Sequence, residues 1–267
     1  MKRTEISKIP YTLPENIDRL VRGARIYDSS CSPEARVYFI NRDGGLYLKI
    51  ADTYALKREK LMTEYFCKKG LGAEVLCYSS GEKDFLLTRA VMGDDCTAAK
   101  YLADPKRLAE IMGERLRALH ELDCSDCPIQ DTTSEYIAVA EKNYLTDNYN
   151  KEHFPDSFGY KSGDEAYKVL TEGKHLLKNE VLIHGDYCLP NIMLDDWRFT
   201  GFIDLDGAGV GDRHMDLFWG RWTIGFNLRM IGAYDDKAYG ERFFDAYGRD
   251  KIDNNIIKIV AAKSVLG

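Results

Sequence analysis

VLIHGDYCLPNIMLDDWRFTGFID, the stretch from Val181 to Asp204, decides the fold of this 267-residue chain. Three short apolar runs, Val181–Ile183, Ile192–Leu194 and Thr200–Ile203, read as strands. The first delivers His184-Gly185-Asp186 into a loop, and Asn191 follows Asp186 by five positions. The turn Asp195-Asp196-Trp197-Arg198 sends the chain back, so that Asp204 ends the last strand. Two carboxylates and an amide are therefore expected at the same end of one small sheet. Hard oxygen donors of this kind suit Mg²⁺, which takes a few protein oxygens and completes its shell with water and phosphate oxygens. A carboxylate beside such an ion can orient an attacking hydroxyl. Singly, each of the three reads as a turn residue; their joint spacing points to a site.

Working outward, the first third of the chain is strand-rich. Arg36–Ile40 and Leu46–Ile50 flank Asn41-Arg42-Asp43-Gly44-Gly45, which predicts a hairpin. Ala55–Lys69 is built of helix formers, and Gly70 suits the position just past its end. Glu74–Tyr78 and Phe85–Ala90 are two further strand-like runs. Beyond them the composition turns helical. Asp104-Pro105 is a fitting N-cap and first helical residue. Leu108, Ile111, Met112, Leu116, Leu119 and Leu122 then recur at helical spacing. Ser162-Gly163-Asp164 can start another helix. The fold class expected is α+β in two lobes: a β-rich N-terminal lobe, residues 1–91, and a mainly helical C-terminal lobe, residues 92–267.

Composition narrows the function. With 37 Lys and Arg against 43 Asp and Glu, the net charge is −6. Nucleic-acid binders carry a basic footprint, so no nucleic-acid partner is expected, whereas an acidic surface suits a cationic small molecule. No apolar run reaches the roughly 20 residues that span a bilayer, so no membrane partner is expected. The start, MKRTEISKIPYTLPENI, has no apolar core of a secretory signal, which makes the cytoplasm the expected compartment. Seven scattered cysteines fit a reducing compartment, and Cys124 and Cys127 read as incidental thiols.

The order Asp-x4-Asn followed by a later Asp is that of the protein-kinase catalytic loop and its metal-binding aspartate. HGDYCLPNIM and RFTGFIDLDGAGVGDRHMDL closely resemble the catalytic segment of aminoglycoside 3′-phosphotransferases, within the larger choline-kinase-like group. SPEARVY, LYLK, LKREK and the helix after residue 104 extend the resemblance to most of the chain. It implies a protein-kinase-like fold and transfer of the γ-phosphate of ATP to a hydroxyl, with Mg²⁺ as cofactor. Nothing in the residues separates ATP from GTP.

By that resemblance Asp186 is the catalytic base or hydroxyl-orienting residue, and Asn191 and Asp204 are the metal ligands. Lys49 in LYLK is the strand lysine that reaches the phosphates, and Glu59 in LKREK is its partner, with Glu64 as the substitute. SSCSP resembles the loop that folds over the phosphates, through its amides and the Ser32 hydroxyl. Tyr47 resembles an adenine-stacking aromatic, and Arg89 to Val91 the hinge that bonds the adenine edge. Glu152 and Asp156 are candidates for a cationic acceptor. Two departures bear on that acceptor. The apolar run WTIGFNLRMIG stands where relatives carry acids, and the chain stops at AAKSVLG rather than in an acidic-aromatic run. Either the acceptor differs or other groups, such as Asp235 and Asp236, serve it. The alternatives are a kinase for choline, a sugar or a macrolide, and a nucleotide-binding regulatory module without catalysis. His184 and Gly185 are expected to shape the loop, Asp212 and Asp216 to pin loops by hydrogen bonding, and His214 to be structural. His120 reads as a surface or helix-packing residue.

Overall fold

The computed structural model describes residues 3–151, 158–232 and 236–267. The chain forms two compact units, Met1–Cys96 with Pro190–Asp206, and Thr97–Leu189 with Gly207–Gly267. The boundary read at residue 91 becomes a division after Cys96, and the segment Pro190–Asp206 groups with the first unit.

The first unit carries β1 (Thr4–Ile6), α1 (Glu15–Val21), β2 (Arg25–Asp28), β3 (Ala35–Asn41) and β4 (Leu46–Asp52). Then follow α2 (Lys57–Lys68), β5 (Val75–Ser80), β6 (Lys83–Arg89) and β7 (Asp94–Asp95). Six of its strands form an antiparallel sheet in the order β1-β2-β3-β4-β6-β5. The expected hairpin is β3 and β4, with Ile40 opposite Leu46 and Val37 opposite Lys49. Strand periodicity sorts β4 by face. Leu46, Leu48 and Ile50 enter a core with Ile17, Val21, Tyr38, Ile40, Phe85 and Leu87. Tyr47, Lys49 and Ala51 take the opposite face, where Ala51 packs with Ala35, Leu56 and Leu86. The helix expected over Ala55–Lys69 forms as α2, and Gly70 follows it at φ +72°.

The second unit holds α3 (Ala99–Leu102), α4 (Pro105–His120), α5 (Thr132–Leu145), α6 (Gly163–Gly173) and β8 (Val181–Ile183). The segment that returns to the first unit carries β9 (Ile192–Asp195) and β10 (Arg198–Phe202). The second unit resumes with β11 (Gly209–Gly211), α7 (Arg213–Met230), α8 (Asp236–Tyr247) and α9 (Asn254–Leu266). Asp104 caps α4 by accepting the Arg107 amide, and Ser162 caps α6 by accepting that of Glu165. Leu108, Met112, Leu116 and Leu119 are the buried stripe of α4. A second core gathers Leu170, Val181, Ile183, Met215, Ile259 and Val260.

One expectation is corrected. The three strands around the catalytic motif do not form one sheet. β8 pairs with β11, whereas β9 pairs with β10 on one side and β7 on the other in a three-stranded sheet of the first unit. Only the β9–β10 hairpin satisfies its edge locally; β9 also pairs with distant β7, and β8 finds its partner only after the hairpin has been passed.

Candidate active site

In the first unit, Lys49 on β4 projects toward α2. Its Nζ lies 2.7 Å from Glu59 Oε2 and 2.8 Å from Asp204 Oδ1. Glu59 is buried on the α2 face that also buries Met62, Thr63 and Phe66. Glu64 instead pairs with Lys60 one turn away, at 2.9 Å. The structure thus selects Glu59 over Glu64. Burial works to lower the Lys49 pKa, but the Glu59 and Asp204 carboxylates outweigh it and raise it. Burial pushes Glu59 up to about 7 against the pull of Lys49, and Asp204 and Asp206 push it further the same way.

Asp204 reaches this pair by way of the hairpin. Asp196 and Trp197 both have positive φ, +47° and +66°, which is the two-residue turn that matches strand twist. Register pairs Ile192 with Phe202, and the Ile203 amide donates to the Asn191 carbonyl at 3.1 Å. Asn191 and Asp204 therefore sit at the same end of the ribbon. Asp204 lies two residues past β10 rather than on it, at φ +60°. A non-glycine residue held there costs on the order of 1 kcal/mol, a local strain seen where a side chain must be aimed.

The second unit presents His184-Gly185-Asp186 from β8. Buried Asp216 on α7 accepts the His184 amide at 2.7 Å and the Gly185 amide at 2.8 Å. His120 Nε2 lies 3.2 Å from the same carboxylate, and its Nδ1 lies 2.9 Å from the Tyr247 hydroxyl. Burial pushes the His120 pKa down against the pull of Asp216. Further along the loop, the Tyr187 hydroxyl donates to the Met112 carbonyl and the Leu189 amide to Thr223 Oγ1. Asp186 alone in this stretch is exposed. Asp212 accepts the His214 and Lys178 amides, so both acids of the GDRHMDL segment pin backbone as expected.

A family model described as the phosphotransferase enzyme family matches residues 33–253. A probable aminoglycoside 3′-phosphotransferase of Lactococcus lactis is 49% identical over 255 residues, 95% of each chain. The chain belongs to the aminoglycoside 3′-phosphotransferase family. It is a phosphotransferase with an alcohol group as acceptor. The aminoglycoside 3′-phosphotransferase of Enterococcus faecalis is 30% identical and matches 84% of this chain and 86% of its own. Among solved structures, an aminoglycoside 3′-phosphotransferase of type VIII shares the fold at TM-score 0.74 and 22% identity, covering 95% of this chain and 98% of that one. An APH(3'')-Id phosphotransferase of Streptomyces rimosus, solved with ADP and streptomycin, does so at TM-score 0.71 and 24% identity, covering 86% and 90%.

For this phosphotransferase the remaining expected residues fall unevenly. Tyr47 shares a sheet face with Lys49, packs with its ring tilted against that of Phe39 at 5.3 Å and accepts a 2.7 Å bond from Arg3. Ser32 is exposed, and its hydroxyl holds the Glu34 carboxyl below its usual range. Of the residues expected to form the hinge, Arg89 and Ala90 donate their amides to the Glu74 and Gly45 carbonyls. Glu152, Asp156 and Asp235 lie outside the described residues. The apolar run after the GDRHMDL segment lies mostly on α7. There Trp222, Gly225 and Arg229 line a cavity of about 320 Å³ together with Phe158, Phe218 and Lys237. His120 is the functional contact that sequence reading missed, because its partners lie 96 and 127 positions away.

Proposed function

We propose that the chain is an ATP- and Mg²⁺-dependent kinase that phosphorylates a hydroxyl of an aminoglycoside, and so confers resistance. The observation that carries this reading is the Lys49–Glu59–Asp204 cluster. Two carboxylates share one ammonium, and Asp206 adds a further negative charge nearby. The cluster holds more acidic groups than basic ones, and its oxygen donors, the Asp204 carboxylate and the Asn191 amide, are hard. Among the described residues no cluster of His, Cys, Asp and Glu forms a closed cage for an ion. The Asp204 and Asn191 oxygens suit Mg²⁺, which prefers one or two protein oxygens plus nucleotide phosphates. Bound there, the ion would neutralise charge on the transferring phosphate.

The chain's own residues supply the rest. Lys49, fixed by Glu59, positions the phosphates. Val91 offers its amide and Tyr47 its ring to the base, and the SSCSP loop its Ser32 hydroxyl to the phosphates. Asp186 accepts the proton of the acceptor hydroxyl as that oxygen bonds to Pγ and the bond from Pγ to the bridging oxygen breaks, leaving ADP. Positioning and charge neutralisation carry the rate, with no covalent enzyme intermediate. The identity to 3′-phosphotransferases directs the first assays to that hydroxyl. The acids Glu152 and Asp156 remain candidates for contacting a cationic acceptor.

A second reading has one observation in its favour. The cavity on α7 is lined by aromatic rings and by Arg221, Arg229 and Lys237, a setting foreign to a polycation. This favours an alcohol without the charge of a polycation, a sugar among the alternatives, as the acceptor. ATP consumption measured with kanamycin, neomycin, choline and a macrolide separates the two, and turnover with any of them dismisses a catalytically silent nucleotide-binding module. Asp186→Ala should abolish transfer while nucleotide binding stays within a few-fold. Near-normal turnover by that variant would overturn the assignment.

A further inference from the structure

Helix α5 begins on fixed ground. Asp131 accepts the Ser134 amide, Thr133 takes the Asp212 amide on its hydroxyl, and the Ile129 carbonyl accepts the Val210 amide. Tyr136, one turn into this helix, sends its hydroxyl toward two glycines. It donates to the Gly207 carbonyl at 2.8 Å and lies 3.5 Å from the Gly185 carbonyl. The fit leaves no room for a side chain on either glycine. A Cβ on Gly185 would stand 2.1 Å from the Gly207 oxygen and 2.5 Å from the Tyr136 hydroxyl, and one on Gly207 would stand 2.4 Å from that hydroxyl. The Tyr136 ring itself is covered by Lys263 of α9, whose Nζ lies 4.5 Å from the ring centroid.

Gly185 immediately precedes Asp186. Its φ of +85° belongs to a region glycine enters freely and leaves as freely, so the peptide that carries Asp186 needs outside restraint. His184 supplies half of that restraint, its Nδ1 accepting the Asp186 amide at 3.3 Å, while Asp216 holds the preceding peptide through the Gly185 amide. The other half, on the carbonyl side, faces Tyr136. We propose that Tyr136 is a positioning residue for phosphoryl transfer: its hydroxyl fixes the Gly185–Asp186 peptide and thereby aims the Asp186 carboxylate at the acceptor hydroxyl. The inference rests on the role given to Asp186 above.

Tyr136→Phe removes the hydroxyl and keeps the ring over Lys263. The expected result is a kcat at least tenfold lower per folded molecule, with the KM for ATP within about twofold, since small misplacements of a reacting group are costly in rate. A merely structural tyrosine would lower the melting temperature and the folded fraction and leave kcat per folded molecule unchanged. That outcome overturns the proposal. The second arm is Asp186→Asn with and without Tyr136→Phe, followed as slow transfer from labelled ATP. If Tyr136 acts through Asp186, removing its hydroxyl from the Asp186→Asn enzyme should change the residual rate by less than about twofold. An equal loss in both backgrounds places the effect of Tyr136 elsewhere and overturns the inference. Near-normal turnover by Asp186→Asn alone would instead remove the role of Asp186, and the two failures are told apart by that single variant.

Discussion

The two units hold their functional groups by opposite means. In the first, Lys49, Glu59 and Asp204 restrain one another through charge, side chain to side chain. In the second, Asp186 makes its turn on a loop whose backbone amides are tied to one buried carboxylate, Asp216. A charge-paired site can exchange partners when a phosphate or a metal ion arrives, because each bond has a ready substitute. A loop tied through its peptides has none, and it holds its shape whatever is bound. The division suits a reaction in which one reactant's charge must be accommodated and the other's hydroxyl must be aimed.

The largest expected effect tests the exchangeable side. Lys49→Met should lower turnover about a thousandfold if the phosphate-positioning role proposed for it holds. Stability should change by no more than about 1 kcal/mol, because Glu59, already raised to about 7, can take up a proton in place of its partner. Urea unfolding beside an ATP-turnover assay checks both halves. A stability loss of several kcal/mol would mean that the ion pair holds the fold and the contrast is false.

The fixed side should show the reverse. Asp216→Ala strands the His184 and Gly185 amides away from water and leaves His120 without its acceptor. Unmade buried hydrogen bonds cost about 1–3 kcal/mol each, so a loss of about 3 kcal/mol or more is expected in urea titrations. Full stability with activity lost would show that Asp216 serves chemistry alone.

The smallest effect sharpens the picture at Lys263. Burial lowers its pKa to about 8 from 10.5. Between those values the unfolded chain binds more protons than the folded one, so stability contributed by this group rises with pH across that window. Below pH 8 the folded protein carries a buried charge. Lys263→Met should therefore be more stable than the parent by about 2 kcal/mol at pH 7, and the gap should close above pH 10. Paired unfolding curves at the two pH values decide it; a variant less stable at pH 7 would mean that the contact with the Tyr136 ring outweighs the burial.

Much of this was legible in the residues. The β3–β4 hairpin, the Asp104 and Ser162 caps and the Asp186–Asn191–Asp204 spacing are local signals, each confined to a few neighbouring positions. Even the choice of Glu59 over Glu64 was within reach, since Glu59, Met62, Thr63 and Phe66 share one helical face whereas Glu64 falls with Lys60. What stayed hidden is long-range. Nothing near Val181 announces that its partner strand begins at Gly209, on the far side of a hairpin. Nothing near His120 announces Asp216, and nothing near Tyr136 announces Gly185 and Gly207. A hydroxyl meeting a distant carbonyl leaves no periodicity to read.

The route of the chain has a consequence for how the protein is made. Residues Pro190–Asp206 complete the first unit although the second unit's residues precede and follow them. When the ribosome has released residue 96, β7 still lacks its neighbour β9, and Lys49 still lacks Asp204. The amino-terminal portion must wait through nearly a hundred further residues before it can be closed. A gene cut at residue 96 would therefore yield an amino-terminal fragment unable to finish itself, and only co-expression with the remainder could restore the missing ribbon to its place.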